Sequence, residues 1–158
     1  MVAQNIDANY IFIDTMKNRS EIQMMAWYQL ILNRMKKLGL TLKKHILDNE
    51  ASASYTVLIE ENGMVWEFVP PDQHRRNSGE RAIKTEKDNF VTILVGVSSN
   101  FPMHLWCRLL PQAEFTLNLL RQSRTTTNVS ANAHVHGTHK FMKRPLAPLI
   151  CDVQAHKK

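Results

Sequence analysis

Two carboxylates stand where the chain could hold a divalent ion. Asp48 follows the apolar pair Ile46-Leu47 in "KKHILDNEAS" (43–52), at the C-terminal tip of a predicted strand. Glu80 falls in the first turn of a predicted helix, behind a loop that contains His74, Arg75, Arg76 and Asn77. Carboxyl ends of strands are where α/β proteins tend to place their chemistry. Mg²⁺ is a hard cation, usually held by one or two carboxylates with water and phosphate filling the shell, so two acids on separate rigid elements can share it. Plain structural uses compete with that reading. Asp-Asn after a strand is ordinary helix-capping chemistry. An acid in a first turn complements the helix dipole, and Lys84 lies at i+4 from Glu80 for a surface pair.

Two further groups could carry chemistry. "HVHGTH" brings His134, His136 and His139 together, but no Cys or carboxylate stands close by. A zinc site usually wants four well-placed ligands, so incidental surface histidines are the preferred reading. Arg75, Arg76, Arg81, Lys84 and Lys87 cluster around the Glu80 helix, and Lys140, Lys143, Arg144, Lys157 and Lys158 around the tail. A solvated face is the default for such sets. The first group, however, surrounds a candidate metal carboxylate, where phosphate would lie. The formal charge of +6 and pI near 9.5 permit attraction to nucleic acid without demanding it.

The elements that must position these residues are legible in the pattern. With 158 residues, 44% hydrophobic and 22% charged, the chain can bury a real core. No apolar run reaches the ~18 residues of a membrane span, and no secretory leader is read at Met1. Cys107 and Cys151 read as unpaired thiols. "ANYIFID" (8–14) is β-prone, "VAQNID" before it is a weaker strand, and Asp7-Ala8-Asn9 is the turn between them. From Ser20, with Gln23 forming a capping box, helical spacing runs through Ile22, Met25, Ala26, Gln29, Leu30, Leu32, Asn33 and Met35. A helix over "ASASYTVLIEEN" stops at Asn62-Gly63, and "MVWEFVP" (64–70) is a strand. The next helix spans about 79–97, with Ala82, Ile83, Phe90, Ile93, Leu94 and Val97 on its apolar side. Residues 101–123 form a helix that Pro111 bends or divides. Beyond Ser123 the Thr/Asn/His-rich stretch reads as a linker. Alternating strands and helices indicate an α/β domain.

The ordered segments "MKNRSE", "LKKHILDNEAS", "VPPDQHRRNSGERAIKT", "NFPMHLWCRLLPQAEFTLNLLRQS" and "PLAPLICDVQAH" make the chain resemble the catalytic core of integrases from copia-type LTR retrotransposons, in the ribonuclease H-like superfamily. The resemblance implies a mixed sheet flanked by helices, in strand order 3-2-1-4-5. It also implies three acids, two Asp and a Glu, holding two Mg²⁺ or Mn²⁺ ions that cleave and join DNA strands. Asp48 matches the second Asp and Glu80 the Glu, so both are expected as catalytic and metal-binding residues. Arg75, Arg76, Arg81 and Lys84 are expected to meet nucleic acid.

Departures from the family pattern bound what this chain should do. Residues 1–6 match the end of the second strand and "NYIFID" the third, so the first, central strand and its Asp have no counterpart here. Asp7 and Asp14 are the acids nearby, and neither occupies that position. Glu86 stands on the apolar stripe where the family has an aromatic residue, a costly place for an unpaired carboxylate. The expectation is an N-terminally truncated core over 1–123, then a linker and the start of a small barrel over 124–158. Metal would bind weakly and strand transfer would be lost. DNA would be the partner, a homo-oligomer is possible, and the compartment would be nuclear or cytoplasmic rather than secreted or membrane-bound. The alternatives are a non-enzymatic nucleic-acid-binding or host-interaction module, or a relic that does not accumulate.

Overall fold

A computed structural model describes residues 1–47, 51–69 and 78–147. Strands β1 (Val2–Asn5) and β2 (Tyr10–Ile13) form an antiparallel hairpin, pairing Val2 with Ile13 and Asn5 with Tyr10. The polar turn between them is closed by Asn5 Oδ1, which accepts from Ala8 N–H at 2.8 Å, and Asn9 takes φ 56°. Helix α1 (Glu21–Lys37) follows, capped by Ser20, whose Oγ accepts from Gln23 N–H at 3.4 Å. Strand β3 (Lys44–Leu47), helix α2 (Ala53–Glu61) and strand β4 (Val65–Phe68) then make a βαβ unit, with β3 and β4 parallel. Helix α3 (Ser78–Val95), a 3₁₀ segment (Met103–Leu109), α4 (Leu110–Leu120) and α5 (Ala131–His136) complete the described chain.

The strands therefore form two separate two-stranded sheets among the described residues, β1-β2 and β3-β4. Helix α1 joins them. Its buried face is Trp27, Tyr28, Ile31, Leu32 and Met35, and one core cluster unites these with Tyr10 and Phe12 of β2, Leu47 of β3 and Ile59 of α2. The sequence pattern placed Ile22 and Leu30 on helical spacings, yet they are 78% and 50% exposed. The helix is turned to bury Trp27 and Tyr28, because large aromatic rings remove more apolar area from water than the aliphatic alternatives. Trp27 Nε1 is buried without a hydrogen-bond partner among the described residues.

A second, smaller cluster lies on the other side of the hairpin. Ile11 and Ile13 pack there against Ala82 of α3 and Leu110 and Leu117 of α4. Of the apolar side expected for α3, Ala82 is buried and Phe90 packs against this cluster, whereas Ile83 is 41% exposed. Pro111 divides residues 101–123, leaving the 3₁₀ segment before it and sitting in the first turn of α4, where a missing N–H costs nothing. The stretch read as a linker after Ser123 carries α5, capped by Ser130, and buries Ala131 in the main core. Its Arg124 N–H donates to Asp7 O at 3.1 Å, tying it to the hairpin turn.

Candidate functional site

The β3-β4 ladder reaches Leu47, which pairs with Phe68, and Val69 N–H donates to Leu47 O at 2.9 Å. Leu47 is buried in the main core, so the strand that leads to Asp48 is anchored up to its last described residue. Asp48 itself, with Arg75 and Arg76, lies outside the described residues. Behind the strand end, His45 Nδ1 meets Tyr28 Oη at 2.8 Å, and the Tyr55 ring lies edge-on to His45 at 6.1 Å. Burial pushes the His45 pKa down to about 4, so the ring is neutral at neutral pH.

Helix α3 starts beside β1. The Gln4 side-chain amide comes within 3.2 Å of Ser78 O, one turn before Ala82 enters the second cluster. With Ala82 inward, Glu80, Arg81, Lys84 and Lys87 are exposed, and Glu80 occupies the first turn as expected. Arg81, Lys84 and Lys87 recur every three residues, so they form one cationic strip along the helix. Glu86 is half-buried. Burial raises its pKa, while the Met1 ammonium and Lys87 lower it. The carboxylate on the apolar stripe thus lies near the chain's first ammonium instead of among apolar groups alone.

Among the described residues no group of three His, Cys, Asp or Glu side chains comes together as a metal centre. Of the two acids expected to hold an ion, Glu80 is among the described residues and Asp48 lies outside them. The histidines of "HVHGTH" go to three different places. His134 Nδ1 lies 3.0 Å from Ser123 Oγ, His136 Nε2 3.3 Å from Tyr10 Oη, and His139 Nε2 2.8 Å from Arg144 O. Each makes its own contact within the fold.

Sequence reasoning missed a polar stripe on α4. Glu114, Asn118 and Arg121 fall at i, i+4 and i+7, and all three meet the backbone of β2 or its turn. Glu114 Oε2 accepts from Ile13 N–H at 2.8 Å, and Oε1 accepts from Tyr10 O–H at 2.9 Å. Asn118 bonds both the N–H and the carbonyl of Ile11, and Arg121 Nε donates to Asn9 O at 2.9 Å. Arg34 of α1 forms a two-pronged ion pair with Glu114 and stacks over Phe12, its carbon Cζ 5.2 Å from the ring centre. The signal was present as three polar residues at helical spacing inside the apolar run "LPQAEFTLNLLR".

No protein-family profile and no curated protein matches the sequence. Among solved structures, the chain is similar to the catalytic core domain of BIV integrase. The two superpose with a TM-score of 0.62 at 14% identity, over 85% of this chain and 82% of that one. The fold is similar to that of an integrase catalytic core. This supports the integrase-like, mixed α/β class read from the sequence, and at that identity the likeness is one of fold. No described helix is long and apolar enough to cross a membrane.

Proposed function

We propose that this chain derives from a copia-type retrotransposon integrase core, with strand-transfer activity lost and affinity for DNA kept. The observation that carries the reading is the integrase-core fold over 85% of the chain, on which Glu80 opens a helix whose exposed side carries Arg81 and Lys84. Among the described residues, the two separate sheets are what a ribonuclease H-like sheet without a strand between them would give. In this reading Asp48 and Glu80 hold a Mg²⁺ or Mn²⁺ ion, whose chemistry is to stabilise charge on the oxygens of a phosphodiester. The chain's own residues bind and orient DNA: Arg75, Arg76, Arg81 and Lys84 neutralise phosphates flanking the two carboxylates. The partners would be element ends and target DNA.

Two carboxylates without the third leave most of an ion's shell to water, so it is held loosely. Misplacement by ~1 Å can cost ~100-fold in rate, and a lost ligand more. The purified 158-residue chain, given Mg²⁺ and a terminal-repeat DNA, should show no strand transfer while still binding that DNA. Robust metal-dependent joining that Glu80→Gln abolishes would overturn the loss of activity. Absence of salt-sensitive DNA binding would remove the nucleic-acid role altogether.

A further inference from the structure

A cavity of about 380 Å³ opens beside the Arg34–Glu114 pair, between the end of β2, the start of α4 and helix α5. That volume lies within the range of small-molecule sites, ~300–1,000 Å³. Asn132 of α5 lines it and is only 3% exposed. Its side-chain amide has no hydrogen-bond partner among the described residues, yet it is not sealed in the core, so its remaining exposure is toward the cavity. Helix α5 is held rigidly on both flanks of it: Ala131 N–H donates to Arg121 O at 2.7 Å, and Ser130 Oγ accepts from Ala133 N–H at 3.0 Å. A nearly buried amide with neither its donor nor its acceptor used is expensive unless something else completes it.

The charges on the wall exclude an anion. Both Glu114 oxygens are taken by Arg34, Tyr10 and Ile13, so the Arg34 cation is already neutralised. Burial of part of the ring, then the Arg34 cation, lower the His136 pKa, which keeps that group neutral at neutral pH. Asp14 adds a carboxylate at the rim. Among the described residues that line the cavity, a phosphate or carboxylate would meet no free cation. What remains is an amide with donor and acceptor side by side, in a cavity that Phe115 and Leu110 also line. Those features fit a flat, neutral heterocycle carrying an adjacent acceptor and donor on one edge. An adenine base has that edge in N7 and the N6 amino group, and an asparagine amide pairs with it through two hydrogen bonds. Bases free of a duplex also stack on aromatic rings.

We infer that this cavity binds an unpaired adenine base, with Asn132 pairing to its donor–acceptor edge and Phe115 giving it a stacking surface. The base could come from a free nucleoside or from a single strand. The inference goes beyond the strand-transfer reading, since it uses neither Asp48 nor Glu80.

The test is an NMR titration of the 158-residue chain with adenosine, without divalent metal, repeated with a single-stranded oligoadenylate and with duplex DNA. Adenosine should shift the Asn132 side-chain amide and the His136 ring signals. Asn132→Leu should weaken binding at least about tenfold, the value of one good amide–base pair. Its thermal midpoint should hold or rise, because an apolar group replaces an unpaired amide. If Asn132→Leu fails to fold, Asn132→Asp serves, since it keeps the shape but loses the donor. Shifts with the single strand and not the duplex would assign the base to a strand, and shifts with adenosine alone to a nucleoside. No shift at Asn132 or His136 with any arm would overturn the inference. So would equal binding by the variants, or a leucine variant that folds with a lowered midpoint, which would make the amide structural.

Discussion

Asn118 gives Ile11 the two hydrogen bonds that a neighbouring strand would give it: Oδ1 accepts from Ile11 N–H at 2.8 Å and Nδ2 donates to Ile11 O at 2.8 Å. One side chain of α4 thereby closes the outer edge of β2, a row of backbone groups that would otherwise need a strand or water. Asn118→Leu keeps the volume but strands both backbone groups. We expect a loss of about 2–4 kcal/mol in urea unfolding, from the desolvation of an unpaired donor and acceptor. The opened edge should also raise self-association in sedimentation velocity. A leucine variant as stable and as monodisperse as the parent would remove this role.

Glu114 and Arg34 differ in how far water can replace a lost partner. Glu114 is 4% exposed, whereas the Arg34 side chain is 38% exposed. Glu114→Leu should therefore cost about 3 kcal/mol or more, since Ile13 N–H and Tyr10 O–H lose their acceptor together. Arg34→Met should cost less because Glu114 keeps its other two donors. Chemical denaturation of the two single variants checks the order. A larger effect at Arg34 would mean that the carboxylate depends on the cation above all.

His45 sets an acid limit on stability. Its pKa is held down at about 4 in the fold by burial, against 6.5 for an unhindered ring. The unfolded chain therefore takes up a proton first. Stability from this group is fully present above pH 6.5, falls as the pH drops from 6.5 towards 4, and levels off below that. That difference corresponds to about 3 kcal/mol at most. His45→Phe should flatten that part of the pH profile in thermal melts while retaining the ring contacts with Tyr28 and Tyr55. An unchanged acid slope would show that other groups govern it.

The proposed DNA face makes a separable prediction. If Arg81 and Lys84 each neutralise one phosphate, replacing either with Gln should reduce the slope of log K against log salt by about 0.9 on duplex DNA. Fluorescence anisotropy across a salt series measures it. Unchanged slopes in both variants would leave the cationic strip of α3 as a solvated face.

Metal affinity tests the two acids apart from DNA. Mn²⁺ titration should show weak binding that Asp48→Asn or Glu80→Gln each diminish, since one remaining carboxylate holds a divalent ion poorly. Equal binding by parent and variant would exclude the altered residue from the ion's shell.

Much of the local structure was legible from neighbouring residues. Ser20 and Gln23 marked the start of α1, Asn62-Gly63 the end of α2, and Pro111 the division before α4, because caps and ring constraints act within one turn. The β-prone runs that became β2, β3 and β4 were likewise visible in composition. The ordered segments also carried the likeness to an integrase core, and Glu80 took its place in a first turn. Tertiary structure alone decided the rest. That α1 buries Trp27 and Tyr28 and exposes Ile22 depends on which face the two sheets cover, and periodicity allows more than one. The polar stripe on α4 finds its meaning only when β2, more than a hundred residues away in sequence, lies alongside it. Helix α5 formed where composition suggested a linker because Ala131 had a core to enter. Such burial is a property of packed elements, and a short polar stretch carries no periodicity strong enough to announce it.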